Sequence, residues 1–281
     1  MNTIGWIGLG TMGIPMATQL INAGYELIVY NRSIGKADEL VASGAKAVES
    51  PKAVLENAAV VVLMVSDDTA IRQIFEGDNG LLTADATGKT IINMSTVSPG
   101  ISVEMAEKCL VKGNGYLDAP VSGSVKQAET AQLVIMAGGN EATFKAALPV
   151  LEKLGKLTLR VGQTGAGNHA KLAINSLLAL YTQGLAETVL FANQNGIKTD
   201  DLLQLLSQAA IGNVYSKIKG DAILSDNYRA AFALKHIVKD LKLAKDEGLS
   251  SPLAKAALET FEGAVEKHGE EDLIAVIKAL K

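Results

Sequence analysis

The stretch Gly8-Leu-Gly10-Thr11-Met12-Gly13 limits what this chain can fold into more than any other. It follows directly on the β-type run Thr3–Ile7 and opens a stretch of helical spacing, from near Met12 to about Ala23. Strand, glycine turn and helix in that order form the setting in which G-x-G-x-x-G binds a dinucleotide. Gly8 permits the tight turn. Gly10 lets a pyrophosphate approach the backbone, and Gly13 lets helix and strand pack closely. The N–H groups at the helix start, Thr11 and Met12 included, then face the phosphates along the positive end of the helix dipole. With 27 glycines in the chain, the pattern alone also fits a structural turn. Its place after a strand favours the dinucleotide.

The next strand, Leu27–Tyr30, ends in Asn31-Arg32-Ser33. An NAD site usually has Asp or Glu here to hold the ribose hydroxyls. Asn31 stands in that place, which also removes repulsion of a 2'-phosphate. Arg32 supplies a cation for that phosphate and Ser33 a hydroxyl. These residues predict NADP(H) rather than NAD. A solvated arginine in an ordinary turn is the plainer reading of Arg32.

The first half continues as alternating strands and helices. A helix is expected over Ser33–Ser43, with Gly44 as its stop. Strands are expected at Ala58–Val65, Thr90–Met94, Gly115–Asp118, Leu133–Ala137 and Leu157–Val161. The unbroken apolar run at 58–65 suits a strand covered on both faces. This alternation argues for βαβ units with right-handed crossovers. After Gly162 no strand pattern remains. One long helix is predicted from Ala166 to about Asn193, then helices at Thr199–Gln208, Ala233–Glu247, Pro252–Lys267 and Asp272–Leu280. The expected architecture is an α/β Rossmann-type N-terminal domain, residues 1–163, followed by an all-α C-terminal domain, residues 164–281.

Composition excludes several function classes. A formal net charge of -4 without a basic stripe argues against nucleic acid as a partner. No apolar run approaches the eighteen or so residues of a membrane span. The basic and long apolar regions of a signal peptide are not evident at the N-terminus, so a cytoplasmic location is expected. The lone Cys109 allows no internal disulfide and argues against a thiolate zinc centre, and three histidines argue against a rich histidine metal site. No metal is expected.

Polar groups gather where strands end, the edge at which open α/β sheets bind ligands. The backbone at Val65 and Ser66 would line the cofactor crevice. Asp67 and Asp68 would cap the following helix rather than bind metal. Ser95 and Thr96 offer hydroxyls. Ser122, Gly123 and Ser124 can clamp a substrate carboxylate, or simply make a turn. Lys171 and Asn175 share a helix face. A lysine beside a carbonyl can protonate the alkoxide as hydride arrives, and Asn175 can orient the substrate. A solvated surface lysine is the competing reading. His236 and Asp240 also share a face, which fits either a catalytic pair or a helix-stabilising contact, the simpler of the two.

Together these motifs resemble the 3-hydroxyacid (3-hydroxyisobutyrate) dehydrogenase family. The stretches are GLGTMG at 8–13, STVSP at 95–99, DAPVSGS at 118–124, GQTGAGNHAKLAIN at 162–175 and KDLKLA at 239–244. The resemblance implies hydride transfer between NAD(P) and a short hydroxyacid, in a cleft between the two domains. It implies Lys171 as the catalytic lysine with Asn175 as its companion, and Ser122, Gly123 and Thr96 as substrate contacts. Lys239 falls near cofactor and substrate, paired with Asp240. The PVSGS stretch, the AFALKH run at 231–236 and Asn31-Arg32 look most like the NADPH-dependent glyoxylate and succinic semialdehyde reductase branch. Phe232 would then lie near the nicotinamide. Two features bear on substrate choice. Ser124 stands where the hydroxyisobutyrate pattern has Gly, and Val125-Lys126-Gln127 stands where the branch usually has Lys-Lys-Pro. A homodimer or homotetramer acting on a small carboxylate is implied. The alternatives are an NAD(P)-dependent 3-hydroxyisobutyrate or 3-hydroxypropionate dehydrogenase, and a non-catalytic NADP-sensing protein. A 6-phosphogluconate-type enzyme shares the architecture, but this chain is shorter and has no extra basic cluster for a sugar phosphate.

Overall fold

The computed structural model describes residues 3–280. The chain divides into two compact units, Met1–Lys171 and Leu172–Lys281.

Among the described residues the first unit holds nine strands: β1 Thr3–Ile7, β2 Glu26–Tyr30, β3 Lys46–Ala47, β4 Val60–Leu63, β5 Thr90–Asn93, β6 Gly115–Asp118, β7 Val121–Ser122, β8 Leu133–Gly138 and β9 Gly155–Gly162. Its helices are α1 Gly13–Asn22, α2 Asp38–Ala42, α3 Pro51–Asn57, α4 Asp68–Glu76, α5 Pro99–Val111, α6 Val125–Glu129 and α7 Glu141–Leu151. The sheet runs β3-β2-β1-β4-β5-β6-β8-β7, and β9 also pairs with β8. From β3 to β6 every pairing is parallel, whereas β6–β8 and β7–β8 are antiparallel. Strand order reverses between β1 and β4, the switch point at which such sheets bind ligands.

The apolar run in β4 shows why the sheet is buried on both faces. Val60 and Val62 join one core with Trp6, Met16 and Leu20, while Val61 and Leu63 join another with Val54, Phe75 and Ile91. Alternate side chains point to opposite faces, so a strand apolar at every position needs helices above and below.

The second unit is helical. Helix α8, Ala166–Gln194, is 29 residues long and begins in the first unit. It is followed by α9 Thr199–Gln208, α10 Val214–Leu224, α11 Leu234–Asp246, α12 Pro252–His268 and α13 Val276–Ala279. Ala179 and Val189 of α8, Ile237 of α11, Phe261 of α12 and residues 273–277 form its core. Helix α9 buries none of its side chains. Among the described residues no helix is long and apolar enough to cross a membrane.

Several elements differ from the sequence expectation. The run 58–65 is strand only over Val60–Leu63; the Met64 N–H still bonds the Ile7 carbonyl, and the Val65 N–H turns to Ser95 Oγ. The segment 33–43 breaks into a 3-10 turn at Ile34–Ala37 and the short α2. The last helix divides likewise into Leu273–Ala275 and α13. Strands β3 and β7 have two residues each, too few for an alternation to be legible. Helix α10 was not anticipated. Its apolar Val214 and Ile218 face outward, and its interior Gly220 packs against Leu203, where a Cβ would lie 2.7 Å from Leu203 Cδ2.

Candidate active site

The glycine turn is set by close packing at two of its three glycines. Gly8 has φ +99, and a Cβ there would lie 2.2 Å from the Met64 carbonyl oxygen. A Cβ on Gly13 would lie 2.0 Å from the Gly8 carbonyl oxygen, which also accepts from Trp6 Nε1 at 3.0 Å. Gly10 is different: a Cβ there meets nothing within 4 Å. The space beside it is open, as an approaching pyrophosphate requires. Met12, the N-cap of α1, gives the helix no side-chain cap, so its first N–H groups suit phosphate oxygens. The residues present therefore fit a dinucleotide.

Asn31 braces this turn. Its Oδ1 accepts from the Leu9 N–H at 2.9 Å, and its Nδ2 donates to the Ser33 carbonyl at 2.9 Å. The amide thus ties the end of β2 to the glycine turn, a role the sequence reading missed. Arg32 and Ser33 are exposed beside it, and so is Lys36 on the same turn.

Across the switch point, Ser66 Oγ donates to Asp67 at 2.7 Å, and Asp67 caps α4 by accepting from the Ala70 N–H at 2.8 Å. Asp68 does not cap that helix. It accepts from the Ser98 N–H and hydroxyl at 2.9 and 2.5 Å, joining the starts of α4 and α5. Among the described residues no cluster of His, Cys, Asp or Glu could hold a metal ion.

Ser95 is buried, and its hydroxyl accepts from the Val65 N–H at 2.9 Å, which shapes the loop after β4. Thr96, next along, is half-buried. Ser122 is half-buried in β7, and Gly123 is exposed with φ +142. The Ser124 hydroxyl and N–H both donate to Gln127 Oε1, at 2.5 and 2.9 Å. Ser124 is thus engaged at the start of α6 by one of the residues that depart from the branch pattern. Lys171 is half-buried in the second turn of α8, and Asn175 follows one turn later on the same helix.

Two family models cover the chain: the NAD binding domain of 6-phosphogluconate dehydrogenase matches residues 3–165, and the NAD-binding domain of NADP-dependent 3-hydroxyisobutyrate dehydrogenase matches 165–280. The chain belongs to the NAD(P)-dependent hydroxyacid dehydrogenase family. It is 36% identical to glyoxylate/succinic semialdehyde reductase 1 of Arabidopsis thaliana, over 99% of this chain and 98% of that protein. It is 34% identical to 2-hydroxy-3-oxopropionate reductase of Escherichia coli, over 99% and 97%. Among solved structures, a Mycobacterium tuberculosis 3-hydroxyisobutyrate dehydrogenase with L-serine superposes with a TM-score of 0.91 at 30% identity, over 100% of this chain and 99% of that one.

This hydroxyacid dehydrogenase carries a further polar cluster within its second unit. Asn175 Nδ2 donates to Asp240 Oδ2 at 2.6 Å, and both residues are buried. Lys239 Nζ lies 3.1 Å from Asp240 Oδ1 but off the hydrogen-bonding direction, so that contact is electrostatic. Asp240 is thus held by Asn175 and Lys239. His236 instead stacks on Phe232, with ring centroids 6.2 Å apart. Burial holds the His236 imidazole below its ordinary range, with Lys239 and Lys235 acting in the same direction. The buried Asp118, at the end of β6, is a functional position to which the sequence assigns no role. It accepts backbone N–H groups from Gly165 and Asn168 at the start of α8.

Proposed function

We propose that the protein is an NADPH-dependent reductase of small aldehyde or keto acids, converting glyoxylate to glycolate or succinic semialdehyde to 4-hydroxybutyrate. The carrying observation is the placement of Lys171. It stands in the second turn of a helix whose start is bonded to the end of β6, from which the chain runs directly to Ser122 and Gly123. The named Arabidopsis relative supports the substrate class.

In this reading Gly8, Gly10, Thr11, Met12 and Gly13 receive the pyrophosphate, with Val65 and Ser66 across the switch point. Arg32 and Ser33 take the 2'-phosphate, and Asn31 holds their turn against the glycine loop. NADPH supplies hydride to the carbonyl carbon. Ser122, Gly123 and Thr96 hold the substrate carboxylate, while Ser95 and Ser124 shape the loops on either side. Lys171 donates a proton to the carbonyl oxygen as negative charge develops there, and solvent returns it. Asn175, fastened to Asp240, orients the substrate oxygen, while Phe232 and Lys239 serve the nicotinamide end. Residues 1–163 act as the cofactor domain and 164–281 as the substrate and assembly domain. A cytoplasmic setting suits the single buried thiol, Cys109.

A homodimer or homotetramer is part of the proposal. Leu177 of α8 and Val214 and Ile218 of α10 are 67%, 76% and 55% exposed. Tyr181 of α8 meets Tyr215 of α10 edge to face, with ring centroids 5.7 Å apart, which brings these two elements together. An apolar surface of this kind is usually covered, and light scattering would measure the assembly.

The test is steady-state reduction of glyoxylate and succinic semialdehyde with NADPH and with NADH, beside oxidation of 3-hydroxyisobutyrate with NADP and NAD. NADPH-dependent reduction that Lys171→Ala abolishes, with NADPH binding retained, is the expected result. Preferred NAD-dependent oxidation of 3-hydroxyisobutyrate would replace this substrate assignment with that of the structural neighbour.

A further inference from the structure

We propose that Asp118 and Asn168 are positioning residues that hold the helix carrying Lys171 in register with the strand ends carrying Thr96 and Ser122–Gly123. The inference rests on the catalytic reading of Lys171 given above.

Asp118 is fully buried at the end of β6. Its Oδ1 accepts from the Gly165 N–H at 2.7 Å and its Oδ2 from the Asn168 N–H at 2.8 Å. Both donors lie where α8 begins. The first N–H groups of a helix have no partner within it, and they carry the positive end of its dipole. The backbone of α8 therefore holds the buried carboxylate, and the carboxylate in turn sets where α8 starts. Burial pushes the Asp118 carboxyl up from its ordinary range, and these N–H groups oppose that shift.

Asn168 extends the tie to a third segment. It is fully buried, its Oδ1 accepts from the Val97 N–H at 3.0 Å, and its Nδ2 donates to Ser102 Oγ at 3.2 Å. Val97 directly follows Thr96, and Ser102 lies in α5. Two buried side chains thus join the end of β6, the loop after β5 and the first turn of α8. The space around them is committed as well. A Cβ on Gly138 would lie 2.5 Å from Asp118 Oδ1, and one on Gly167 would lie 2.9 Å from Oδ2.

Lys171 lies three residues beyond Asn168, a little less than a helical turn. A change in the first turn of α8 therefore moves the lysine. On the other side, Ser122 lies four residues beyond Asp118. The proton transfer needs Lys171 within hydrogen-bond reach of the carbonyl oxygen, and a misplacement of about 1 Å can cost on the order of 100-fold in rate. Asp118 and Asn168 hold that separation without touching substrate.

The test uses the full chain and three variants: Asp118→Asn, Ser102→Ala and Lys171→Ala. Asp118→Asn keeps the size of the side chain but turns an NH2 group toward an N–H donor. Ser102→Ala removes the partner of the Asn168 amide, together with the hydroxyl's contact to Tyr116, and leaves Asp118 and Asn168 themselves in place. For each, kcat and KM for glyoxylate, the Kd for NADPH and the Tm are measured. Asp118→Asn is expected to lower kcat about 10- to 100-fold, with the NADPH Kd changed by less than about twofold. Ser102→Ala is expected to lower kcat a few-fold, again without weakening NADPH. A lower Tm with kcat unchanged in both variants overturns the proposal, because the network would then serve stability alone. Where Asp118→Asn fails to fold, Ser102→Ala decides: reduced kcat at unchanged NADPH Kd supports the proposal, and unchanged kcat overturns it. Retained turnover in Lys171→Ala removes the catalytic reading and this inference with it. Lost turnover in Lys171→Ala beside full turnover in the other two overturns the positioning alone.

Discussion

Gly10→Ala should separate stability from cofactor binding. A methyl group at this position meets no heavy atom within 4 Å, and its φ lies outside the left-handed region. The folded state therefore bears no strain, and the unfolded chain loses some freedom. The expected effect is a gain of about 0.4–1 kcal/mol in stability. The same methyl fills the space through which a pyrophosphate would reach the backbone. Losing one charge-assisted hydrogen bond there costs about 1.5–3 kcal/mol. That corresponds to a Kd for NADPH raised about 10- to 100-fold. Gly13→Ala gives the opposite pattern. Its Cβ would sit 2.0 Å from the Gly8 carbonyl oxygen, so α1 must withdraw by about 1 Å, at a cost of about 1–3 kcal/mol. NADPH fluorescence titration and thermal unfolding on both variants make the comparison. If Gly10→Ala binds NADPH as tightly as the parent protein, the open space beside Gly10 is not where the pyrophosphate lies.

Three further outcomes are expected. Arg32→Gln should lower the preference for NADPH over NADH about tenfold in paired Kd measurements, while the fold, to which this exposed side chain contributes little, stays intact. Lys219→Met should cost about 3–5 kcal/mol in urea unfolding, because it strips the cation from a pair 2.7 Å apart whose side chains are only 7% and 4% exposed. The His236 imidazole should titrate by NMR with a midpoint below 6.5. Its folded value lies under its unfolded one, so its contribution to stability is whole above pH 6.5 and shrinks as pH falls toward the folded value. A midpoint above 6.5 would mean that Asp240 and Glu270, which pull the other way, outweigh burial and the two lysines.

The folding pattern could be read along the chain wherever a periodic signal ran long enough. Trp6 and the glycines after it, the run in β4 and the apolar faces of α8, α11 and α12 all announced their elements, because burial on a sheet face or a helix stripe repeats every two or every three to four residues. Helix α10 and the two-residue strands β3 and β7 were not legible. Their existence depends on neighbours distant in sequence, such as Leu203 against Gly220. The glycine turn, the absence of an acid at position 31, and Lys171 with Asn175 on one helix face were likewise visible as residues in order. Which partner each polar side chain takes was not. Asp240 goes to Asn175 and Lys239, Asn31 to Leu9 and Ser33, and Asp118 to the start of α8. A hydrogen bond is a matter of direction and of a few ångströms in three dimensions. The order of residues determined the strand–turn–helix frame and the kinds of chemical group it carries. Only the packed chain decided which of those groups brace the frame and which remain open to a ligand.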